Sequence, residues 1–174
     1  MRRTYGFAVI MGIFLLAGCS YSSVGHLQRQ PWILNSQQHL EMRFWKFTYT
    51  AHPAHGRYTL VGKAEPVLEN LPSDLHWIED LWLAVYLSDD QGRVLAQDLT
   101  IFTGLPLDCG KGIPFTFTLR PDQLSRSSSL QVTFGYNMTL TPHEQYTMEE
   151  LPVKQRAGER TRVFFAHEGA LTKI

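Results

Sequence analysis

The chain has 174 residues, is 44% hydrophobic and 12% aromatic, and sets sixteen Lys and Arg against sixteen Asp and Glu. That aromatic load excludes a disordered chain, the lack of a basic excess argues against a nucleic-acid partner, and two cysteines cannot form a disulfide-dense scaffold. The length suits one domain with its own core.

At the start, Arg2 and Arg3 precede an apolar run from Phe7 to Leu16. As a helix this run would span roughly 15 Å against a hydrocarbon core of about 30 Å, too short to cross it. A charged start, a short apolar centre and a small-residue end are the layout of a secretory signal peptide. Its last residues, Leu16-Ala17-Gly18-Cys19, resemble the lipobox of bacterial lipoproteins. The resemblance implies cleavage between Gly18 and Cys19, so that 1–18 is the signal. It also implies that Cys19 carries a diacylglyceryl group on its thiol and an acyl chain on its new amine. One acyl chain holds a protein weakly and reversibly, whereas two or three make a lasting anchor. Ser20 stands where the lipoprotein pattern reserves Asp for retention in the inner membrane, which favours the outer membrane, facing the periplasm. An ordinary secreted protein with an incidental Cys19 would need another cleavage site, and no better one lies just downstream. Thr4-Tyr5-Gly6 does not continue a twin-arginine signal.

Residues 19–40 read as the lipidated N-terminus and a tether, because 20–40 has no acid and much Ser and Gln. Within it, Trp32-Ile33-Leu34 is an apolar patch that either docks on the domain or rests at the lipid headgroups. Residues 41–174 are then the folded domain, and they read as strands. Arg43 to Tyr49 alternates, with Trp45, Phe47 and Tyr49 on one face. That row is either core or, if the opposite face is core, an exposed partner site. Tyr58 to Val67 also alternates. Leu81 to Leu87 is apolar on both faces, which predicts a central strand covered on both sides. Ser88-Asp89-Asp90-Gln91-Gly92 supplies a hairpin turn, and Val94 to Phe102 returns. Phe115 to Leu119, Leu130 to Leu140 and Arg162 to Ala166 complete about seven strands. Ser73 to Asp80 offers one short helical turn with Ser73 as its cap. The fold class is all-β, an antiparallel sandwich or barrel.

A second resemblance favours the sandwich. Val61-Gly62-Lys63-Ala64, the strand Leu81 to Leu87, and Asp89-Asp90-Gln91-Gly92-Arg93-Val94-Leu95 together look like the FxLYD-type domains of bacterial envelope proteins. Those are immunoglobulin-like sandwiches, and their frequent Asn after the first Gly strand is missing here.

Candidate chemistry is sparse. His52-Pro53-Ala54-His55 has the most ligand-like spacing, with His76 or Glu69 as completing ligands, but no Cys or carboxylate lies at a convincing nearby spacing, and an exposed hairpin loop shaped by Pro53 and Gly56 accounts for it better. Asp89, Asp90 and Gly92 hold part of a calcium loop's spacing, but the alternating oxygen ligands and distal Glu are absent. Ser127-Ser128-Ser129 lacks a nucleophile elbow, and Glu149-Glu150 pairs carboxylates in sequence alone. With Cys19 acylated, Cys109 has no partner in its own chain, leaving a buried structural thiol or an intermolecular disulfide. Lys154, Arg156, Arg160 and Arg162 form a basic stretch that suits a solvated face, lipid phosphates or an acidic partner.

These readings converge on a non-enzymatic lipoprotein. It is anchored through Cys19, needs no cofactor beyond that lipid, and serves an envelope assembly by binding another envelope protein. The alternative is a small-ligand or metal-binding lipoprotein using His52 and His55. A hydrolase would need a nucleophile and base that the sequence does not place together.

Overall fold

The computed structural model describes residues 20–108, 110–121, 129–143 and 162–173. In chain order the strands are β1 (Tyr21–Ser23), β2 (Gln30–Pro31), β3 (Gln37–Glu41), β4 (Trp45–Ala54), β5 (Arg57–Pro66), β6 (Trp77–Ser88), β7 (Val94–Pro106), β8 (Ile113–Leu119), β9 (Gln131–Thr141), β10 (Phe164–Glu168) and β11 (Leu171–Lys173). One sheet runs β10-β9-β6-β7, with β2 added at β9, and the other runs β3-β4-β5-β8. Every pairing within them is antiparallel. The two sheets pack face to face as an all-β sandwich, and β1 with β11 forms a separate ribbon at one end.

Alternation dictates which residues fill the sandwich. Trp45, Phe47, Tyr49 and Ala51 of β4 point inward, as do Leu60 and Ala64 of β5 and Phe115, Phe117 and Leu119 of β8. From the facing sheet come Leu81, Leu83, Val85 and Leu87 of β6 and Val132, Phe134, Tyr136, Met138 and Leu140 of β9. Phe134 lies at the centre. Its ring stacks on Phe47 at 4.2 Å and 4°, and lies 5.1 Å from Tyr49 and 5.6 Å from Phe115. Across the same core, Trp45 Nε1 donates to Met138 Sδ at 3.3 Å. The row Trp45, Phe47 and Tyr49 is therefore core, which removes it as an exposed partner site.

A latch closes one side. Asp98, on edge strand β7, points inward and accepts from the backbone N–H of Thr118 on β8 at 2.6 Å. Its other carboxylate oxygen accepts from the N–H of Leu99 at 2.9 Å. An inward acid on a sheet edge occupies backbone donors that another strand would otherwise use.

Three expectations need correction. The chain is not a tether up to residue 40. Residues 20–34 cross one end of the sandwich, where β1 pairs with β11, Val24 N–H donates to the Gly92 carbonyl at 2.8 Å, and β2 pairs with β9. Val24 is fully buried, and Trp32 packs on the core with its ring 5.5 Å from Tyr58. Four short strands are thereby added to the seven expected, because polar Ser and Gln pair at sheet margins without an apolar face to announce them. Next, the helical turn lies upstream of Ser73, as a 3-10 turn at Leu68–Asn70, since the residues from Trp77 onward are taken into β6. Finally, the described residues do not fully cover the outer face of β6, a difference that leads to the site below.

Burial also sets an alkaline limit on the fold. The Tyr49 hydroxyl is buried and has no hydrogen-bond partner among the described residues, and desolvation pushes its pKa up to about 12. Because the unfolded value is about 10, the fold favours the neutral phenol. Its contribution is complete below about pH 10 and is lost as pH rises towards about 12. Tyr49→Phe should raise stability by about 1 kcal/mol at neutral pH, by deleting an unpaired buried hydroxyl. It should also remove about 2 kcal/mol of the alkaline loss. Denaturant midpoints at neutral and alkaline pH check both, and a variant less stable than wild type at neutral pH would show that the hydroxyl is satisfied.

Candidate functional site

The two outer faces of the sandwich differ in chemistry. On β3-β4-β5-β8 the outward residues include Lys46, Thr48, Thr50, Lys63, Glu65 and Thr116, a mainly polar surface interrupted by Val61, which is 48% exposed. On β10-β9-β6-β7 four large apolar side chains are exposed instead. Trp82 is 44% exposed, Leu99 48%, Ile101 52% and Phe165 70%.

Register places them together. Trp82 is paired with Ile101 on one side and with Asn137 on the other, and Asn137 is paired with His167. Leu99 and Phe165 lie two residues along their strands from Ile101 and His167, on the same face. The lower part of this face is closed by the chain after β10. A Cβ on Gly135 would meet the Glu168 carbonyl at 2.8 Å and the Tyr86 ring at 2.9 Å. Ala170 N–H donates to the Tyr86 hydroxyl at 3.5 Å. Above this closure the apolar residues stand free, beside a shallow groove of about 320 Å³ lined by Ala84, Tyr86, Gln97, Asp98 and Leu99.

A strand such as Leu81 to Leu87 has apolar residues on both faces, and a two-layer sandwich can cover one of them. The inward set became core. The outward Trp82 has no third layer over it among the described residues, and its neighbours Leu99 and Ile101 come from the returning strand. Trp82, Ile101 and Leu99 form one group on neighbouring strands, with Phe165 beyond Asn137 and Thr139 of β9, and exposed apolar surface of this kind marks interaction sites. The sequence signal was present in the doubly apolar strand, read there as a sign of double coverage.

The other candidate residues are placed separately. His52 lies on β4, where its Nδ1 is 3.1 Å from the side-chain oxygen of Asn35. His55 and Gly56 form the turn to β5, with φ of 37° and 75°. His76 precedes β6 in the other sheet, and Glu69 sits on the 3-10 turn. No group of three or more His, Cys, Asp or Glu among the described residues is arranged to hold a metal ion. Asp89 shapes the β6–β7 turn. Its carboxylate accepts from Arg93 N–H at 2.8 Å, and Gly92 takes φ 81°. Of the basic stretch, Arg162 is described, and its guanidinium donates to both carboxylate oxygens of Asp74, at 3.0 and 2.9 Å. Gly18, Cys19, Cys109, Ser127, Ser128, Glu149, Glu150, Lys154, Arg156 and Arg160 lie outside the described residues. No helix among the described residues is long and apolar enough to cross a membrane. No protein-family model, curated protein or solved structure matches the chain.

Proposed function

We propose that the chain is a lipoprotein anchored through Cys19 to the outer membrane, facing the periplasm. Its sandwich acts as a non-enzymatic module that binds another envelope protein. The observation that carries the binding half is the exposed apolar face of Trp82, Leu99, Ile101 and Phe165. An aromatic anchor with aliphatic neighbours, set among polar groups such as Asn137 and His167, is the composition that carries most binding energy at interfaces. The anchor half rests on the lipobox resemblance of Leu16-Ala17-Gly18-Cys19. An immunoglobulin-like topology is the finer reading of the fold. Its support is the pairing of β5 with β8 in one sheet and of β6 with β9 in the other, which interlocks the strand pairs across the two layers.

Both halves have a direct experiment. Labelled fatty acid should enter the wild-type protein and not Cys19→Ala, and equal labelling of the two would remove the anchor. A photo-crosslinking residue at position 82 should capture a specific envelope protein in intact cells. The same residue at Thr116, exposed on the polar face, should not. Capture from position 116 alone, or from neither, would remove Trp82 and its neighbours as the binding face.

A further inference from the structure

We propose that the folded domain rests directly on the phospholipid headgroups of its own membrane, with the β1–β11 end facing down and anionic lipid as its second contact. The inference rests on the lipoprotein reading of Cys19. If the anchor is at Cys19, the first strand begins two residues later, at Tyr21. Two residues of chain reach at most about 7 Å. The flexible tether of about twenty residues expected from the sequence would have placed the domain about 25 Å away on average. The ordered crossing of residues 20–34 removes that freedom, and the end of the sandwich that it crosses becomes the membrane-proximal end.

That end is identified by its contacts. Ser23 bridges to Arg93 and pairs with Leu171, while Arg29 donates to the Asp89 and Asp90 carbonyls at 3.2 Å. Trp32 N–H donates to the Leu130 carbonyl ahead of β9, and the Trp32 ring meets Tyr58 close to the β4–β5 turn. The β6–β7 turn, the β4–β5 turn and the start of β9 therefore share this end.

The chain's balanced charge is unevenly spread. Among the described residues, the anchored half carries Arg29, Arg57, Arg93, Arg120 and Lys173 against Asp89, Asp90, Asp98 and Glu168, a small basic excess. The opposite half carries Glu41, Glu65, Glu69, Asp74, Glu79, Asp80 and Asp108 against Arg43, Lys46, Lys63, Lys111 and Arg162, a small acidic excess. Basic residues close to an anionic leaflet are each worth about fivefold in membrane partition. Exposed Ile33 and Leu171 lie at the basic end, where apolar side chains reach the headgroup boundary. The arrangement turns the acidic end outward and stands the sheet bearing Trp82 on edge to the membrane.

The test uses the full lipidated chain in a Cys109→Ser background, reconstituted in vesicles of phosphatidylglycerol and phosphatidylcholine whose headgroups carry a quencher. A fluorophore is placed at the proximal turn by Gln91→Cys or at the far end by Ser73→Cys. Quenching should be several-fold stronger at position 91. Equal quenching, or stronger quenching at 73, in protein shown by mass spectrometry to be lipidated would overturn the proposal while leaving the anchor intact. An unlipidated Cys19 would overturn the anchor and the proposal together. Arg57→Glu with Lys173→Glu should bring the two positions towards equality on these vesicles. A ratio unchanged by that reversal would overturn the anionic-lipid contact.

Discussion

Phe134→Ala is expected to cost about 3–5 kcal/mol, enough to unfold a domain whose total stability lies in the range of about 5–15 kcal/mol at moderate denaturant. Phe134 is fully buried at the centre of the sandwich, stacked on Phe47 and ringed by Tyr49, Phe115 and Phe117. Those partners come from β4 and β8, so the ring joins one sheet to the other. Truncation opens a cavity that neither sheet can close without shifting its ladder, and it also deletes the stacked contact. Phe134→Leu keeps most of the volume and should cost less than half as much. Denaturant midpoints for the pair check the claim, and equal losses would mean that packing around Phe134 is not the source.

The second large effect concerns the crossing of the N-terminal segment. Gly92 takes φ 81°, and a Cβ there would lie 2.6 Å from both Cα and N of Gly25. Both neighbours are backbone, so relief requires the segment to move away from the β6–β7 turn. Gly92→Ala should therefore cost about 2–4 kcal/mol, through the left-handed conformation and the collision together. It should also expose residues 24–34 to protease. Gly56 provides the control, since it has a similar φ of 75° with nothing within 4 Å of the added carbon. Gly56→Ala should lose about 1 kcal/mol, the conformational part alone. Equal losses, with residues 24–34 equally protected, would show that the segment is not held against the turn.

The strands were readable where alternation was strong. Leu130 to Leu140 appears as β9 one residue shifted, and Trp45, Phe47 and Tyr49 line the core as their spacing allowed. Turn chemistry was equally legible at Asp89 to Gly92, because a carboxylate bonding back to Arg93 and a glycine at positive φ are local requirements. The N-terminal segment was not readable. Ser22, Ser23, Gln30 and Gln37 carry no apolar period, and their pairing depends on partners as distant in sequence as Thr172, Leu171 and Val132. The exposed face was half readable. Leu81 to Leu87 showed two apolar faces, but the residues alone do not say how many layers the fold will supply to cover them.

Local chemistry therefore determined the all-β class, most strand positions, the alternating rows and the expectation of a lipid at Cys19. Each depends on a period, a turn or a short motif contained within a few residues. The tertiary structure decided that residues 20–34 belong to the domain, that among the described residues Trp82 stands uncovered with Leu99, Ile101 and Phe165, and that a small basic excess falls at one end and a small acidic excess at the other. These outcomes depend on register and on the number of layers, which come from pairings between residues far apart in the chain and leave no periodic trace in the sequence.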